Sequence, residues 1–172
     1  MTRHIKVILA VLAAATLAVL GTPAPASANG VGTSVADEVV TFTNLNSNKC
    51  LTIAGGSTAN LARAVQYNCD GHPSRLWLID GSLTGNFRIV NVNSGRCLTI
   101  DGGSTANIAP AVQYTCDTHR ARYWTAVNAT TSSVQIRNLN SGKCLTIDGG
   151  STANNAPVVQ YNCDTHPSRR WY

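Results

Sequence analysis

Three residues, two cysteines and a tryptophan, each recur three times along this chain at one fixed interval, and that interval constrains the fold more than any other feature. Cys50, Cys97 and Cys144 are 47 residues apart, as are Cys69, Cys116 and Cys163, and Trp77, Trp124 and Trp171. Segments 93–119 and 140–166 differ at only four of 27 positions: Arg96/Lys143, Ile108/Asn155, Ala111/Val158 and Thr115/Asn162. The first copy has diverged further, with Asn48 for Gly95 and Gly142, and Ala54 for Asp101 and Asp148. A period in this range is the mark of a repeat architecture. The copies are read as 40–86, 87–133 and 134–172, after an N-terminal linker over 29–39.

The repeat also organises the cysteines. Six can pair in 15 ways, but every copy holds one pair separated by 19 residues. The economical assignment is Cys50–Cys69, Cys97–Cys116 and Cys144–Cys163. No C-x-x-C spacing favours a metal site instead. Disulfides require an oxidising compartment, and the first residues supply a route to one. Arg3, His4 and Lys6 precede an apolar run from Val7 to Leu20, followed by Ala26-Ser27-Ala28. This reads as a secretory signal over 1–28, cleaved after Ala28. Fourteen helical residues at about 1.5 Å each fall short of a bilayer core of roughly 30 Å. Removing Arg3 and Lys6 leaves 11 basic against 8 acidic residues. So small a surplus, without a Lys/Arg cluster, speaks against nucleic acid as partner.

Each copy reads as short strands joined by turns. Val40-Thr41-Phe42, Phe87-Arg88-Ile89 and Val134-Gln135-Ile136 alternate apolar and polar. Asn-rich turns follow, then Cys97-Leu98-Thr99-Ile100 and its equivalents, ending at Asp101-Gly102-Gly103. A third strand is Ala111–Tyr114 and a fourth surrounds Trp124. Helix is limited to one short turn within Ser57–Ala64. Three units are too few for a propeller, and an open array would need caps. The expectation is an all-β closed threefold barrel, with Glu38–Thr43 beside the strand at Trp171-Tyr172.

The residues resemble a family at this point. Gly95-Arg96-Cys97-Leu98, Tyr114-Thr115-Cys116 and Arg122-Tyr123-Trp124, with their equivalents in both other copies, resemble the ricin B-type β-trefoil lectins. That group includes the family 13 carbohydrate-binding modules of secreted actinobacterial glycosidases. The resemblance covers about 40–172 and implies a β-trefoil with one shallow sugar pocket per unit. It implies a carboxylate two residues after the first cysteine, where Thr52, Thr99 and Thr146 stand. It implies Asn and Gln at three and two residues before the tryptophan, where Ser74, Ala121 and Ser168, then Arg75, Arg122 and Arg169, stand. The family aromatic is kept as Tyr67, Tyr114 and Tyr161.

The chemistry offers replacements. Asp101 and Asp148 lie two residues beyond Thr99 and Thr146, so on a strand they face the same way. Arg122 and Arg169 offer planar forks, His119 and His166 further donors, and Tyr114 and Tyr161 stacking faces. Copy one keeps Tyr67, His72 and Arg75 but has Ala54, so it is expected to bind weakly or not at all. Structural roles stand beside each of these. The aspartates precede Gly-Gly and suit Asx turns; the arginines suit pairing with Asp117 and Asp164, or lying over the tryptophans. The histidines suit turn surface, and the tryptophans the core. Gln66, Gln113 and Gln160 face away from the tyrosines and suit structural hydrogen bonds.

The expected function is a secreted, monomeric carbohydrate-binding lectin with two to three sites, needing no cofactor or metal. The alternative is a trefoil that has lost its sugar sites and binds protein, as an inhibitor would. No nucleophile–base pair points to catalysis. Asp101 and Asp148 sit in separate units, whereas a glycosidase needs two carboxyls within about 5–10 Å.

Overall fold

The computed structural model describes residues 38–172. The expected signal at 1–28 and most of the linker lie outside the described residues. Eleven strands follow in order: β1 (Val39–Val40), β2 (Cys50–Ile53), β3 (Ala64–Tyr67), β4 (Trp77–Gly81), β5 (Asn86–Asn91) and β6 (Cys97–Ile100). Then come β7 (Ala111–Tyr114), β8 (Trp124–Val127), β9 (Gln135–Asn138), β10 (Cys144–Ile147) and β11 (Val158–Tyr161). Every named pairing is antiparallel.

Two kinds of pairing alternate. β4 pairs with β5 and β8 with β9, forming the wall of a barrel. Each copy also contributes a hairpin, β2–β3, β6–β7 or β10–β11, in the same register: Cys50, Cys97 and Cys144 stand opposite Tyr67, Tyr114 and Tyr161. Single bridges Arg63↔Val112, Pro110↔Val159 and Val65↔Pro157 knit the three hairpins around the pseudo-threefold axis. This is an all-β β-trefoil.

The ends of the described chain close the barrel. Thr43 and Tyr172 exchange backbone hydrogen bonds of 2.8 and 3.0 Å, and Asn44 bridges Trp171. The expected closure is therefore made by Thr43 and Asn44, while Val39–Val40 pair instead with β4. The helical turn expected within Ser57–Ala64 falls earlier: 3-10 turns cover Ala54–Gly56, Asp101–Gly103 and Asp148–Gly150. A second set covers Pro73–Arg75, Arg120–Arg122 and Pro167–Arg169. Gly-Gly allows the first set to form, because both glycines take positive φ.

Buried residues repeat threefold. Trp77, Trp124 and Trp171 are fully buried, and each indole Nε1 donates to the carbonyl of Leu51, Leu98 or Leu145 at 3.0 Å. Phe87, Ile89 and Ile136 fill the barrel between them. The buried amides carry the joints between copies. Asn91 Nδ2 donates back to Ser74 O at 2.9 Å, Asn138 to Ala121 O at 2.8 Å, and Asn44 to Ser168 O at 2.8 Å. Gln113 donates to Ser57 and Ala59 carbonyls, Gln160 to Ser104 and Ala106, and Gln66 to Ser151 and Ala153. Each copy thus binds its predecessor, and the first binds the third. Satisfied buried amides of this kind hold one register against its alternatives.

The disulfides lie within copies: Cys50–Cys69, Cys97–Cys116 and Cys144–Cys163, each with Cα atoms 5.1 Å apart.

Candidate functional site

The outer faces of the hairpins of copies one and three carry shallow clefts. On β2, Thr52 stands opposite Val65 of β3, and Tyr67 lies two residues along on the same face. The same cross-strand arrangement places Thr146, Val159 and Tyr161 together. The 3-10 turn before the tryptophan closes one side, and the Gly-Gly turn closes the other. Copy one holds a cleft of about 440 Å³ between Thr52, Tyr67, His72 and Arg75. Copy three holds one of about 300 Å³ between Thr146, Asp148, Tyr161, His166 and Arg169.

The threonines at the family carboxylate position are buried floor. Thr52, Thr99 and Thr146 Oγ1 donate to the carbonyls of Ser74, Ala121 and Ser168, each at 3.1 Å. The hydroxyl therefore fastens the β-hairpin to the following 3-10 turn.

The arginines are committed to the protein. Nη1 of Arg75, Arg122 and Arg169 pairs with Oδ1 of Asp70, Asp117 and Asp164 at 2.9, 2.9 and 3.0 Å. Each guanidinium also lies over a tyrosine, with Cζ 4.8, 4.8 and 4.7 Å from the ring centroids of Tyr67, Tyr114 and Tyr161. Of the structural roles set beside the ligand role, pairing with Asp117 and Asp164 is made, and lying over the tryptophans is not. One edge of each guanidinium is spent on carboxylate, and its face rests on tyrosine rather than tryptophan. The half-buried tyrosines in turn carry a guanidinium over one face, and Tyr67 and Tyr161 line their clefts.

The histidines cap the turns. Nδ1 of His72, His119 and His166 accepts from the backbone N–H of Ser74, Ala121 and Ser168 at 3.2, 3.1 and 3.2 Å. In the neutral ring that leaves the proton on Nε2. Nε2 makes no hydrogen bond among the described residues, and this edge of the ring lies beside Gly56, Gly103 or Gly150. The histidine reading as turn surface and the reading as donor thus belong to opposite ends of one ring.

Asp101 and Asp148 open the 3-10 turns, so the strand period that placed them above Thr99 and Thr146 has already ended. Asp148 nevertheless lines the cleft together with Thr146. The Asx turn expected here is not made: the turn closes through the backbone, Ser104 N to Asp101 O and Ser151 N to Asp148 O, each at 3.1 Å. Among the described residues neither carboxylate is hydrogen-bonded or ion-paired. The Asx turns occur at Asp70, Asp117 and Asp164, whose Oδ1 accepts from the N–H two residues on.

Set out together, the cleft offers a free carboxylate, an imidazole N–H and an aromatic edge. The copy-one cleft has Ala54 in place of the carboxylate. The sequence missed one further kind of wall. Ile108 of copy two lines the copy-three cleft, and Asn155 of copy three lines the copy-one cleft. The available signal was that this position is one of four at which copies two and three differ.

Known proteins carry the same fold. The model of the ricin-type beta-trefoil lectin domain-like family matches residues 29–114, 81–161 and 120–172. The chain belongs to that family. Its members are carbohydrate-binding lectins, and the domain is non-catalytic. Among solved structures, the chain is similar to the designed threefold-symmetric protein ThreeFoil, at 25% identity and a TM-score of 0.75, covering 77% of this chain and 95% of that one. It is similar to an exo-beta-1,3-galactanase from Clostridium thermocellum at 26% identity and a TM-score of 0.74, covering 79% of this chain but 29% of that one. The Rhizoctonia solani agglutinin shares the fold at 21% identity and a TM-score of 0.70, covering 80% and 94%. No curated protein matches the sequence. Among the described residues no group of three or more His, Cys, Asp or Glu could hold a metal, and no helix is long and apolar enough to cross a membrane.

Proposed function

We propose that this lectin domain is exported and binds carbohydrate at the outer clefts of copies two and three, with copy one weak. The observation that carries this reading is the pair of carboxylates at Asp101 and Asp148, unpartnered among the described residues and held by turns that close through the backbone. A sugar presents paired hydroxyl protons to such an acceptor. His119 and His166 Nε2–H donate to hydroxyl or ring oxygens, and Tyr114 and Tyr161 meet the apolar face of the ring. Sites this open bind weakly one at a time, and two on one chain raise retention on a polymer through effective concentration. Copy one keeps Tyr67, His72 and Arg75 but offers only the Arg-paired Asp70 as acceptor.

The test is a glycan array, including acidic and arabinose-containing sugars, run with the parent protein and with Asp101→Asn/Asp148→Asn. The parent is expected to bind a restricted glycan set and the double variant to lose it, with unchanged melting. Retention equal to the parent would remove the carboxylates from the site. A blank array with specific capture of a protein partner would favour the protein-binding alternative. Export over residues 1–28 predicts a mature N-terminus at Asn29, readable by mass spectrometry of the secreted protein; an intact Met1 would contradict it.

A further inference from the structure

Leu61, Ile108 and Asn155 occupy one position of the repeat, and all three have left-handed backbone, with φ of 65°, 65° and 62°. Asparagine tolerates that conformation, but leucine does so poorly, and a β-branched isoleucine is among the worst residues for it. The two aliphatic side chains are also exposed, at 56% and 55%. Neither core packing nor backbone preference explains them.

Their position is fixed by a hydrogen bond across copies. The backbone N–H of Leu61 donates to Gln113 O, that of Ile108 to Gln160 O, and that of Asn155 to Gln66 O, each at 2.8 Å. Each acceptor immediately precedes a cleft tyrosine: Tyr114, Tyr161 or Tyr67. The loop of one copy is thereby seated at the cleft of the next. Ile108 and Asp148 both line the copy-three cleft, and Asn155 lines the copy-one cleft.

We propose that each cleft is a two-copy site in which this loop residue selects the sugar substituent. Leu61 and Ile108 give the clefts of copies two and three an apolar wall that takes a methyl-bearing group such as an N-acetyl. Asn155 gives the copy-one cleft a polar wall that takes a hydroxyl. Strained, exposed aliphatic residues fit a contact surface, and the exchange of Ile for Asn changes what that surface accepts. This inference rests on the carbohydrate reading of the clefts.

The experiment is an amide NMR titration of the exported protein with two probes, N-acetylgalactosamine and galactose, followed at the glycine pairs Gly55–Gly56, Gly102–Gly103 and Gly149–Gly150. The copy-two and copy-three pairs are expected to respond to the acetylated sugar at least tenfold more tightly. Ile108→Asn should abolish that preference at Gly149–Gly150 alone, and Asn155→Ile should create it at Gly55–Gly56. Ile108→Asn should also raise the melting temperature, because asparagine accepts the left-handed backbone; loss of preference through unfolding would lower it. An unchanged preference in Ile108→Asn, or no response of any cleft to either probe, overturns the proposal. If other sugars still bind on the array, the lectin reading survives that failure; if none binds, both fall.

Discussion

Arg122 lies over Tyr114, with its Cζ 4.8 Å from the ring centroid, while its Nε donates to Thr115 O at 2.9 Å. The second bond is particular to copy two. In copies one and three the Nε atoms of Arg75 and Arg169 are buried and unpartnered among the described residues. Replacing arginine by lysine removes the planar stack and the Nη1 contact to aspartate. Arg169→Lys is expected to cost about 1 kcal/mol, and Arg122→Lys about 1 kcal/mol more, the size of one net hydrogen bond. Denaturant melts of the two variants check the order. Equal losses would mean that the Nε contact contributes nothing.

Asn138 donates from the barrel to the carbonyl of Ala121, which also accepts from Thr99. Asn138→Ala orphans part of that buried carbonyl's bonding and removes a joint between copies. A loss of about 1–3 kcal/mol is expected, with the mature fold retained by circular dichroism. Asn138→Asp should be worse, because it places a carboxylate against a carbonyl oxygen. A neutral effect of both substitutions would show that the intercopy amides do not hold the barrel.

The fold was legible because its determinants are repeated. The 47-residue period, the paired cysteines and the three tryptophans fixed the number of units and their disulfides, and short alternating strands excluded helices. The buried role of Gln66, Gln113 and Gln160 followed from their placement one residue from the tyrosines. The site was legible only in part. Which face of Arg122 is used depends on Tyr114, eight residues earlier at the end of β7, and on Asp117 in the intervening loop. The reach of Ile108 into the next copy depends on a backbone bond to Gln160 that no local pattern announces. Asp101 was placed by strand periodicity, but the strand ends at Ile100, and the 3-10 turn sets its direction.

Gly103 takes φ +64°, and a Cβ there would sit 2.9 Å from His119 Cε1. Gly103→Ala should therefore strain the backbone and push the imidazole that caps Arg120–Arg122. The expected cost is about 1–2 kcal/mol, with sugar binding at copy two lost and copy three unaffected. Gly102→Ala, whose Cβ would meet nothing within 4 Å, shares the left-handed strain but not the collision. It should destabilise similarly while keeping binding. Identical binding by the two variants would separate His119 from the site.

Each disulfide closes a 19-residue separation around one cleft. Cys97→Ala/Cys116→Ala should lower stability by roughly 3 kcal/mol in the chain-entropy account. The other two bridges should stay intact in non-reducing peptide mapping. Crosslinks that rearrange between copies in this variant would contradict pairing within units.

Two equivalent sugar sites, each built on a carboxylate without a protein partner among the described residues, are measured directly by calorimetric stoichiometry. With a monovalent glycan drawn from the array, the parent should take up two equivalents per chain, Asp148→Asn one, and Asp101→Asn/Asp148→Asn none at the same concentrations. A stoichiometry that does not change across these three proteins would contradict them.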